Sequence, residues 1–354
     1  MKKGLKIVLL LFFINFGITL SGIEIKLEKI IQIKEDKDAI IMIPGSFTVG
    51  ENEEIILIDT GAPDVKVFNS KGAYLYSFGG KGYGPGEFIL PYTCYRNKKS
   101  LWISDIRSRK IIQYNLINGY YKYVNESRQT NVCYGLQVIS NKIYIAGYKS
   151  GKDQEYSFYA KDLKNMFKTE YIIPRSLKFG SGNLNGKYHY SRYNSNGYFD
   201  IYKNHVYFVW SGDLRIIKLN LIDKSKKIFG HKTKNYVKPI VTKKFVIAHK
   251  ERNSRLMMEI RKKYSFVGGV FVTPDYVGIL YRGVHQISQG KYPVYVQFYS
   301  HIGEFKKEIV LDQALANPYY QGQFYYSKNL SKLYFKNTKE EDESYICEIL
   351  VYKI

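Results

Sequence analysis

Cysteine is scarce in this sequence, with only Cys94, Cys133 and Cys347 among 354 residues. Three cysteines are too few for a disulfide scaffold, and their spacing is unlike that of a metal site. If the chain is exported, one bridge could form and one thiol would stay free. Cys94 and Cys133 fall at matching places in two consecutive repeats of the sequence, so a bridge between them remains open at this stage.

Acidic residues are also scarce, since 31 Asp and Glu stand against 54 Lys and Arg, for a formal net charge of +23. A calcium site needs converging carboxylates, and this composition offers few. The positive charge has two interpretations: a solvated lysine-rich surface, which we favour, or attraction to an anionic partner. The lysines are spread along the chain except between Lys224 and Lys234. Electrostatic binding of an anionic polymer through that stretch and Arg252–Lys263 is therefore a weaker hypothesis, kept beside the two main ones given at the end of this subsection.

The motifs of common enzyme classes are missing as well. No Gly-x-Ser-x-Gly elbow marks a hydrolase nucleophile, and none of the six histidines has the His-x-x-x-His spacing of a zinc site. The glycines from Gly79 to Gly86 are not followed by Gly-Lys-Ser/Thr or by a helix, which excludes a phosphate loop. We therefore predict no catalytic residues, no cofactor and no metal, although a fold can still gather ligands that lie far apart in the sequence.

Beyond its first residues the sequence has no apolar run long enough to cross a membrane. The N-terminus carries three lysines, then the apolar stretch Ile7–Ile14, then the small residues Ser21 and Gly22. This order is typical of a secretory signal peptide, with an uncleaved anchor as the alternative. We predict a signal peptide over residues 1–22, one domain over residues 23–354, and export to the periplasm or the extracellular space.

Aromatic residues, in contrast, are abundant: the sequence has 35 Tyr and 20 Phe, which favour half-buried strands. No long segment has a sustained helical period. On either side of the glycine-rich segment Ser77–Phe88, the same order occurs: a strand ending in Asp, a polar turn, a second strand, a Gly or Asn turn and a third strand. The strands that end in Asp are Ile55–Asp59 and Leu101–Asp105. A repeat of about 45 residues built of short strands is typical of a propeller blade.

Four further, less regular repeats follow, so we predict an all-β fold, a six-bladed β-propeller. The last repeat lacks its final strand, whereas Ile23–Ile33 precedes the first blade with no repeat of its own. The simplest solution is that this N-terminal strand completes the sixth blade, because an open ring would leave unpaired edges. Extra length falls in Leu177–Tyr198 and His231–Val267, which we expect to be loops with a short helical turn at Met257–Lys263.

Five residues are predicted to hold turns rather than ligands. Asp59 and Asp105 end equivalent strands, where a short acid can accept backbone N–H groups and hold the turn into the next strand. Gly84 and Gly86 lie in the glycine-rich segment, where the chain must turn. We expect Glu87 to tie this turn to a neighbouring strand.

The segment Phe78–Phe88, followed by Leu101–Asp105 and Arg109–Tyr114, resembles an NHL-type repeat. It is most similar to the secreted six-bladed β-propeller proteins of bacteria that carry a Gly-x-Gly-Pro-Gly-Glu-Phe turn. The resemblance is specific over about residues 50–115 and generic elsewhere. It implies a six-bladed fold and an exported binding or scaffold role, with no shared catalytic set to carry over.

One predicted loop is rich in groups that suit a ligand. Aromatic rings beside guanidinium and amide groups can stack on sugar rings and hydrogen-bond to their edges, and they also suit a protein surface. The candidate residues are Tyr188, Tyr190, Arg192, Tyr193 and Tyr198. A loop that packs over the central channel is the alternative explanation of the same composition.

These observations predict an exported, monomeric, non-enzymatic binding or scaffold module. Its partner would be a protein or a polysaccharide, with an anionic one as an option and nucleic acid not expected, engaged through loops on one face. The alternative is a propeller enzyme of the lactonase or lyase type with a metal in the central channel. Converging carboxylates and histidines from several blades would favour the enzyme, whereas apolar and tyrosine side chains would favour the binding module.

Overall fold

The structure of the protein is a computed structural model that describes ten stretches of the chain. They are residues 22–34, 39–129, 133–150, 155–163, 169–174, 197–240, 242–287, 291–316, 323–341 and 344–354. Within these stretches the chain forms 24 strands and two helices. In chain order the elements are β1 (Lys26–Ile33), β2 (Pro44–Val49), β3 (Ile55–Asp59), β4 (Asp64–Phe68), β5 (Tyr74–Gly79), β6 (Pro91–Asn97), β7 (Ser100–Asp105), β8 (Lys110–Ile117), β9 (Tyr120–Arg128), β10 (Cys133–Ile139), β11 (Lys142–Ser150), β12 (Glu155–Asp162), β13 (Thr169–Pro174), β14 (Gly197–Tyr202), β15 (His205–Trp210), β16 (Ile216–Asn220), β17 (Lys226–Phe229), α1 (Lys243–Lys250), α2 (Ser254–Arg261), β18 (Phe266–Val272), β19 (Val277–Arg282), β20 (Tyr292–Tyr299), β21 (Phe305–Ala316), β22 (Phe324–Ser327), β23 (Lys332–Glu341) and β24 (Ser344–Lys353).

The strands form six four-stranded antiparallel sheets, which confirms the predicted six-bladed β-propeller. Blade 1 is β2–β5, blade 2 is β6–β9, blade 3 is β10–β13, blade 4 is β14–β17, blade 5 is β18–β21, and blade 6 joins β22–β24 with β1. The first strand of each blade contacts the first strands of the two neighbouring blades, in cyclic order. These six inner strands therefore surround a central channel.

In blade 6, β1 pairs antiparallel with β24, from Lys26 opposite Lys353 to Ile33 opposite Cys347. The sheet order β1-β24-β23-β22 places the N-terminal strand at the outer edge of the blade. The two ends of the chain thus share one sheet. Backbone hydrogen bonds between them hold the ring together at this blade, where an unpaired strand edge would otherwise lie.

The middle strands of the blades are buried on both faces. All five residues of β3 and all six of β19 are buried, because each sheet packs against a neighbouring blade on either side. Ile56 and Ile58 of β3, for example, belong to one cluster with Leu101 and Ile103 of β7 in the next blade. This packing explains why the middle strands are continuous apolar runs rather than alternating ones.

Between blades 4 and 5 the chain forms two helices where the sequence predicted a loop with one helical turn. α2 begins after Asn253, whose side chain accepts a hydrogen bond from the backbone N of Leu256 at 2.9 Å. Phe245 and Ile260 are buried in a small cluster with Phe266 of β18. Each helix has only eight residues, so neither is long enough for its periodicity to stand out in the sequence. In the part of the chain that the structure describes, no helix is long and apolar enough to span a membrane.

None of the three cysteines forms a disulfide bond. Cys94 lies in the inner strand β6, with its Sγ 4.0 Å from Ser46 Oγ of the neighbouring blade. Cys133 begins the inner strand β10, and its thiol donates to the carbonyl of Gly135 at 3.5 Å. The bridge between Cys94 and Cys133 that the sequence left open is therefore absent, although the two residues do lie in adjacent blades.

Candidate functional site

Asp59 and Asp105 each bind two turns of their own blade together. The Asp59 carboxylate accepts from the backbone N atoms of Met42, Ile43, Gly61 and Ala62 and from Lys66 Nζ, at 2.8–3.2 Å. The Asp105 carboxylate accepts from the backbone N atoms of Ile89, Leu90, Arg107 and Ser108, at 2.5–3.0 Å. In both blades the acid joins the segment that leads into the inner strand to the turn that follows the second strand. These contacts position the inner strands around the channel.

The glycine-rich turn between blades 1 and 2 is closed from within. Glu87 accepts a hydrogen bond from the backbone N of Gly84 at 2.8 Å, so it closes the turn itself. The sequence had predicted that Glu87 ties the turn to a neighbouring strand, and the described hydrogen bonds give it a partner within the turn instead. That tie is made by two residues of β8 that the sequence reasoning missed. Lys110 Nζ donates to the carbonyl of Tyr83 at 2.9 Å, and Tyr114 Oη donates to the carbonyl of Gly86 at 2.5 Å.

Of the five residues proposed for the ligand-binding loop, four lie outside the described residues: Tyr188, Tyr190, Arg192 and Tyr193. The fifth, Tyr198, is in the inner strand β14 rather than in a loop, and it lines the central channel.

The channel holds a cavity of about 650 Å³. All six inner strands contribute to its wall, with residues such as Ser46 of β2, Tyr95 of β6, Gln137 of β10, Val270 of β18 and Tyr325 of β22. Sequence reasoning missed most of these residues because they are spread from one end of the chain to the other. A tyrosine occurs in the first strand of four blades, β6, β10, β14 and β22, and is the signal that could have identified part of this wall.

Aromatic rings form much of the cavity wall. Tyr92 and Tyr134, from neighbouring blades, meet edge to face with ring centroids 5.6 Å apart. Burial raises the pKa of Tyr92 and of Tyr95 above the ordinary value for a phenol, and likewise that of Tyr325. These side chains therefore stay neutral over the physiological pH range and offer flat apolar faces together with hydroxyl groups.

Asp200, in the inner strand of blade 4, joins four blades at the channel. Its carboxylate accepts from Gln137 Nε2 of blade 3 at 3.0 Å, from the backbone N of Val272 of blade 5 at 2.8 Å, and from Lys328 Nζ, at the end of β22 in blade 6, at 2.7 Å. The backbone N of Ile201 is a further donor, at 2.7 Å. Both carboxylate oxygens are thus engaged, which indicates that Asp200 mainly organises the channel.

Lys336 of β23 reaches the channel wall from the second strand of blade 6. Its side chain is almost fully buried, and its Nζ donates to the carbonyl of Pro44 at 2.8 Å and to that of Gly45 in blade 1. Burial lowers the pKa of this amine from 10.5 to about 8. Among the residues that the structure describes, no carboxylate forms an ion pair with it. Within the described part of the chain, Lys336 is therefore a buried cation whose Nζ is bound by backbone oxygens.

The described residues contain no group of three or more His, Cys, Asp or Glu side chains that could hold a metal ion. The two acids at the cavity wall are Asp200 and Glu51, and Glu51 Oε1 lies 3.8 Å from an Arg96 guanidinium nitrogen. In the described part of the wall, aromatic, small and amide side chains outnumber these acids.

The basic stretches are partly paired with acids. Lys224 Nζ lies 2.5 Å from Glu170 Oε1, and Lys262 Nζ lies 2.8 Å from Glu259 Oε1. Such exposed pairs contribute little to stability. They nevertheless lower the local positive charge of both stretches that the sequence analysis considered for an anionic polymer.

Residues 35–266 match the family model DUF5128, described as a 6-bladed beta-propeller. No curated protein matches the chain. A solved structure from Bacteroides fragilis NCTC 9343, of a protein named as exported, is 14% identical with a TM-score of 0.59 and covers 92% of this chain and 94% of its own. A member of the DUF4221 family from Bacteroides vulgatus is 11% identical with a TM-score of 0.62, at 93% and 98% coverage. A catalytically inactive virginiamycin B lyase from Staphylococcus aureus is 10% identical, at 94% and 100% coverage, with a TM-score of only 0.48. Similarity at these identities shows the fold alone.

Proposed function

Because the chain belongs to the DUF5128 family of six-bladed β-propellers, we propose that it is an exported binding module that holds a carbohydrate ligand in its central cavity. Export is supported by the predicted signal peptide over residues 1–22 and by the similar fold of a Bacteroides fragilis protein that is named as exported. The predicted NHL-like character of the repeat agrees with such a role.

The observation that carries this proposal is the composition of the cavity wall. Small-molecule sites are concave, typically about 300–1,000 Å³ in volume, and lined by aromatic and apolar groups with a few polar groups that fix orientation. The cavity of about 650 Å³ combines several tyrosines with Ser46, Asn97 and Gln137, and all six blades contribute to it. Rings that expose both a face and a hydroxyl suit a sugar, whose faces are apolar and whose edges are polar.

The size of the cavity also favours a small ligand over a folded protein partner. A stable protein interface covers a broad surface of about 800 Å² on each partner, whereas this site is a recess bounded by the inner strands. A glycan chain could enter the recess with a few residues and leave the rest in solvent.

The experiment is an oligosaccharide array probed with the exported form of the chain, residues 23–354, followed by calorimetric titration of the ligands that bind. We expect Tyr95→Ala and Tyr325→Ala to weaken binding by about tenfold each, or about 1.4 kcal/mol, because tyrosine is enriched among the residues that carry most of the binding energy at a site. Tyr83→Ala is the matched control, because Tyr83 is 75% exposed and lies outside the cavity.

Melting temperatures of the three variants distinguish loss of the site from loss of the fold. Unchanged affinity in both cavity variants, with folded protein, would exclude the cavity as the binding site. If the ligand then binds on a face of the propeller, the result would favour the loops between strands as the binding site.

A further inference from the structure

Lys336 differs from two other buried lysines of the propeller. Lys66 Nζ lies 3.2 Å from Asp59 and 2.6 Å from Asp64, and Lys110 Nζ lies 2.7 Å from Glu126. Lys336 is only 3% exposed, yet its Nζ has two backbone carbonyls and no carboxylate among the described residues. A buried ammonium is costly unless it is paired with an anion.

Lys336 lies where a ligand in the cavity could pair with its charge. Its side chain belongs to the wall of the central cavity, beside Gly45 and Ser46 of blade 1 and Cys94 of blade 2. An ammonium has three N–H groups, and two of them donate to Pro44 and Gly45. A ligand in the cavity could therefore supply both the acceptor for the third N–H and the missing negative charge.

The net charge of the cavity wall is positive. Of the wall residues that the structure describes, four are cations (Arg96, Lys98, Lys328 and Lys336) and two are anions (Glu51 and Asp200). Lys328 is already paired with Asp200, and Arg96 stands 3.8 Å from Glu51. The remaining excess is positive, and of these four cations Lys336 is the buried one that has no acid beside it among the described residues. Charge in such a desolvated site acts on a ligand more strongly than charge at the surface.

We propose that the cavity binds an acidic carbohydrate and that Lys336 receives its carboxylate. This inference rests on the proposed function, since it requires that the cavity is the ligand site. A carboxylate at Lys336 forms a charge-assisted hydrogen bond, which is roughly twice as strong as a neutral one. The tyrosine rings of the wall then contact the sugar body, and the hydroxyl and amide groups contact its edges.

The pH dependence of binding follows from the protonation of Lys336. Besides the carbonyls of Pro44 and Gly45, the titratable groups that act on this amine are the thiols of Cys94 and Cys347. The pKa of Cys94 is raised to about 12 by burial, so this thiol stays neutral where the lysine titrates. The pKa of the amine in the free protein is about 8. Because the carboxylate binds the protonated amine, affinity should fall as the pH rises above about 8, by up to tenfold per pH unit.

The experiment compares two probes, digalacturonate and its methyl ester, which differ in charge but little in shape. We expect calorimetric titration at pH 7 to show that the acid binds about tenfold to a hundredfold more tightly than the ester. In Lys336→Met the affinity for the acid should drop to that for the ester, while the affinity for the ester should change little. Lys218→Met is the matched control, because Lys218 Nζ also donates to a backbone carbonyl, that of His301 at 2.9 Å, and its pKa is likewise lowered by burial, but it lies outside the cavity wall.

A measurement on the unaltered protein keeps the test independent of whether Lys336→Met folds. Titrations at pH 8.5 in buffers of different ionisation enthalpy should show that digalacturonate binding takes up protons and that ester binding does not. Equal affinity for acid and ester would overturn the inference, and so would proton uptake that is unchanged in a folded Lys336→Met variant. Failure of both probes to bind would also overturn it. The proposed function would still stand if neutral oligosaccharides bind and Tyr95→Ala weakens them.

Discussion

Lys328 Nζ lies 2.7 Å from Asp200 Oδ1 and so links blade 6 to blade 4, two blades that are not neighbours in the ring. Because Asp200 also accepts hydrogen bonds from Gln137 of blade 3 and Val272 of blade 5, a single carboxylate connects four of the six blades at the channel.

Replacing Asp200 with Asn removes the charge and turns one acceptor oxygen into a donor. We expect the free energy of unfolding to fall by about 1–3 kcal/mol. Urea denaturation measures this change, with the exposed Asp223→Asn as a control that should change little.

The turn acid Asp59 should matter more to stability than Asp200. Its carboxylate is fully buried, with Lys66 Nζ 3.2 Å away and four backbone N–H donors around it. Asp59→Ala leaves those donors without their acceptor, and we expect a loss of about 3–5 kcal/mol in the free energy of unfolding. Glu304→Ala, at an exposed acid of blade 5, is the comparison in the same denaturation assay. A loss below about 1 kcal/mol would mean that the turn is held by other contacts.

Gly86 tests the geometry of the glycine-rich turn. Its φ is +75°, and a Cβ at this position would come within 3.1 Å of the Tyr123 ring. Gly119 has a similar φ of +84° but nothing within 4 Å of its Cβ position. We expect Gly119→Ala to lower the free energy of unfolding by about 1–2 kcal/mol through backbone strain alone, and Gly86→Ala to lower it further. Equal losses in thermal or urea unfolding would show that the Tyr123 ring moves aside without cost.

Lys336 makes stability depend on pH in a known direction. Its pKa is about 8 in the folded protein against 10.5 as the ordinary value, so the unfolded chain binds the extra proton between these pH values. The free energy of unfolding therefore rises as the pH increases from about 8 to about 10.5. This gain in stability is lost as the pH falls through the folded pKa, because the buried amine then becomes charged. The shift corresponds to about 3 kcal/mol. The free energy of unfolding of the wild type minus that of Lys336→Met, measured from pH 7 to pH 10.5, should rise by an amount of this order, and a flat difference would contradict the assigned pKa.

Elemental analysis addresses the alternative of a lactonase- or lyase-type enzyme with a metal in the channel. We expect the purified protein to contain no stoichiometric calcium or zinc after dialysis, and its melting temperature to be unchanged by a chelator. Inductively coupled plasma mass spectrometry before and after chelation gives the answer. A retained metal at one equivalent would favour the enzyme and direct attention to the channel residues, Asp200 and Glu51 first.

Much of the architecture was accessible from the sequence because the signals for it are local. Ile55–Asp59 and Leu101–Asp105 are recognisable as buried strands from their composition and their terminal Asp, and the glycine-rich segment between them marks a turn. A repeated unit of this kind predicts a blade, and the predicted six-bladed fold is confirmed. The sequence predicted only a helical turn at Met257–Lys263 where the chain forms two helices, because eight residues are too few for a clear period and the helices depend on packing against Phe266.

The sequence by itself determined the strands, their order in each repeat and the number of blades, since strand pairing within blades 1 to 5 joins segments that are close along the chain. Blade 6 is the exception, because its strand β1 comes from the opposite end of the chain. Only the tertiary structure decided which residues meet in the channel. Ser46, Tyr95, Gln137, Asp200 and Lys336 come from different blades, and no local pattern records that the ring brings them to one cavity. The charge of Lys336 illustrates the reason. A lysine in a strand of blade 6 looks like a surface residue in the sequence, and it becomes a buried cation because blade 1 packs beside it and leaves its Nζ with the carbonyls of Pro44 and Gly45.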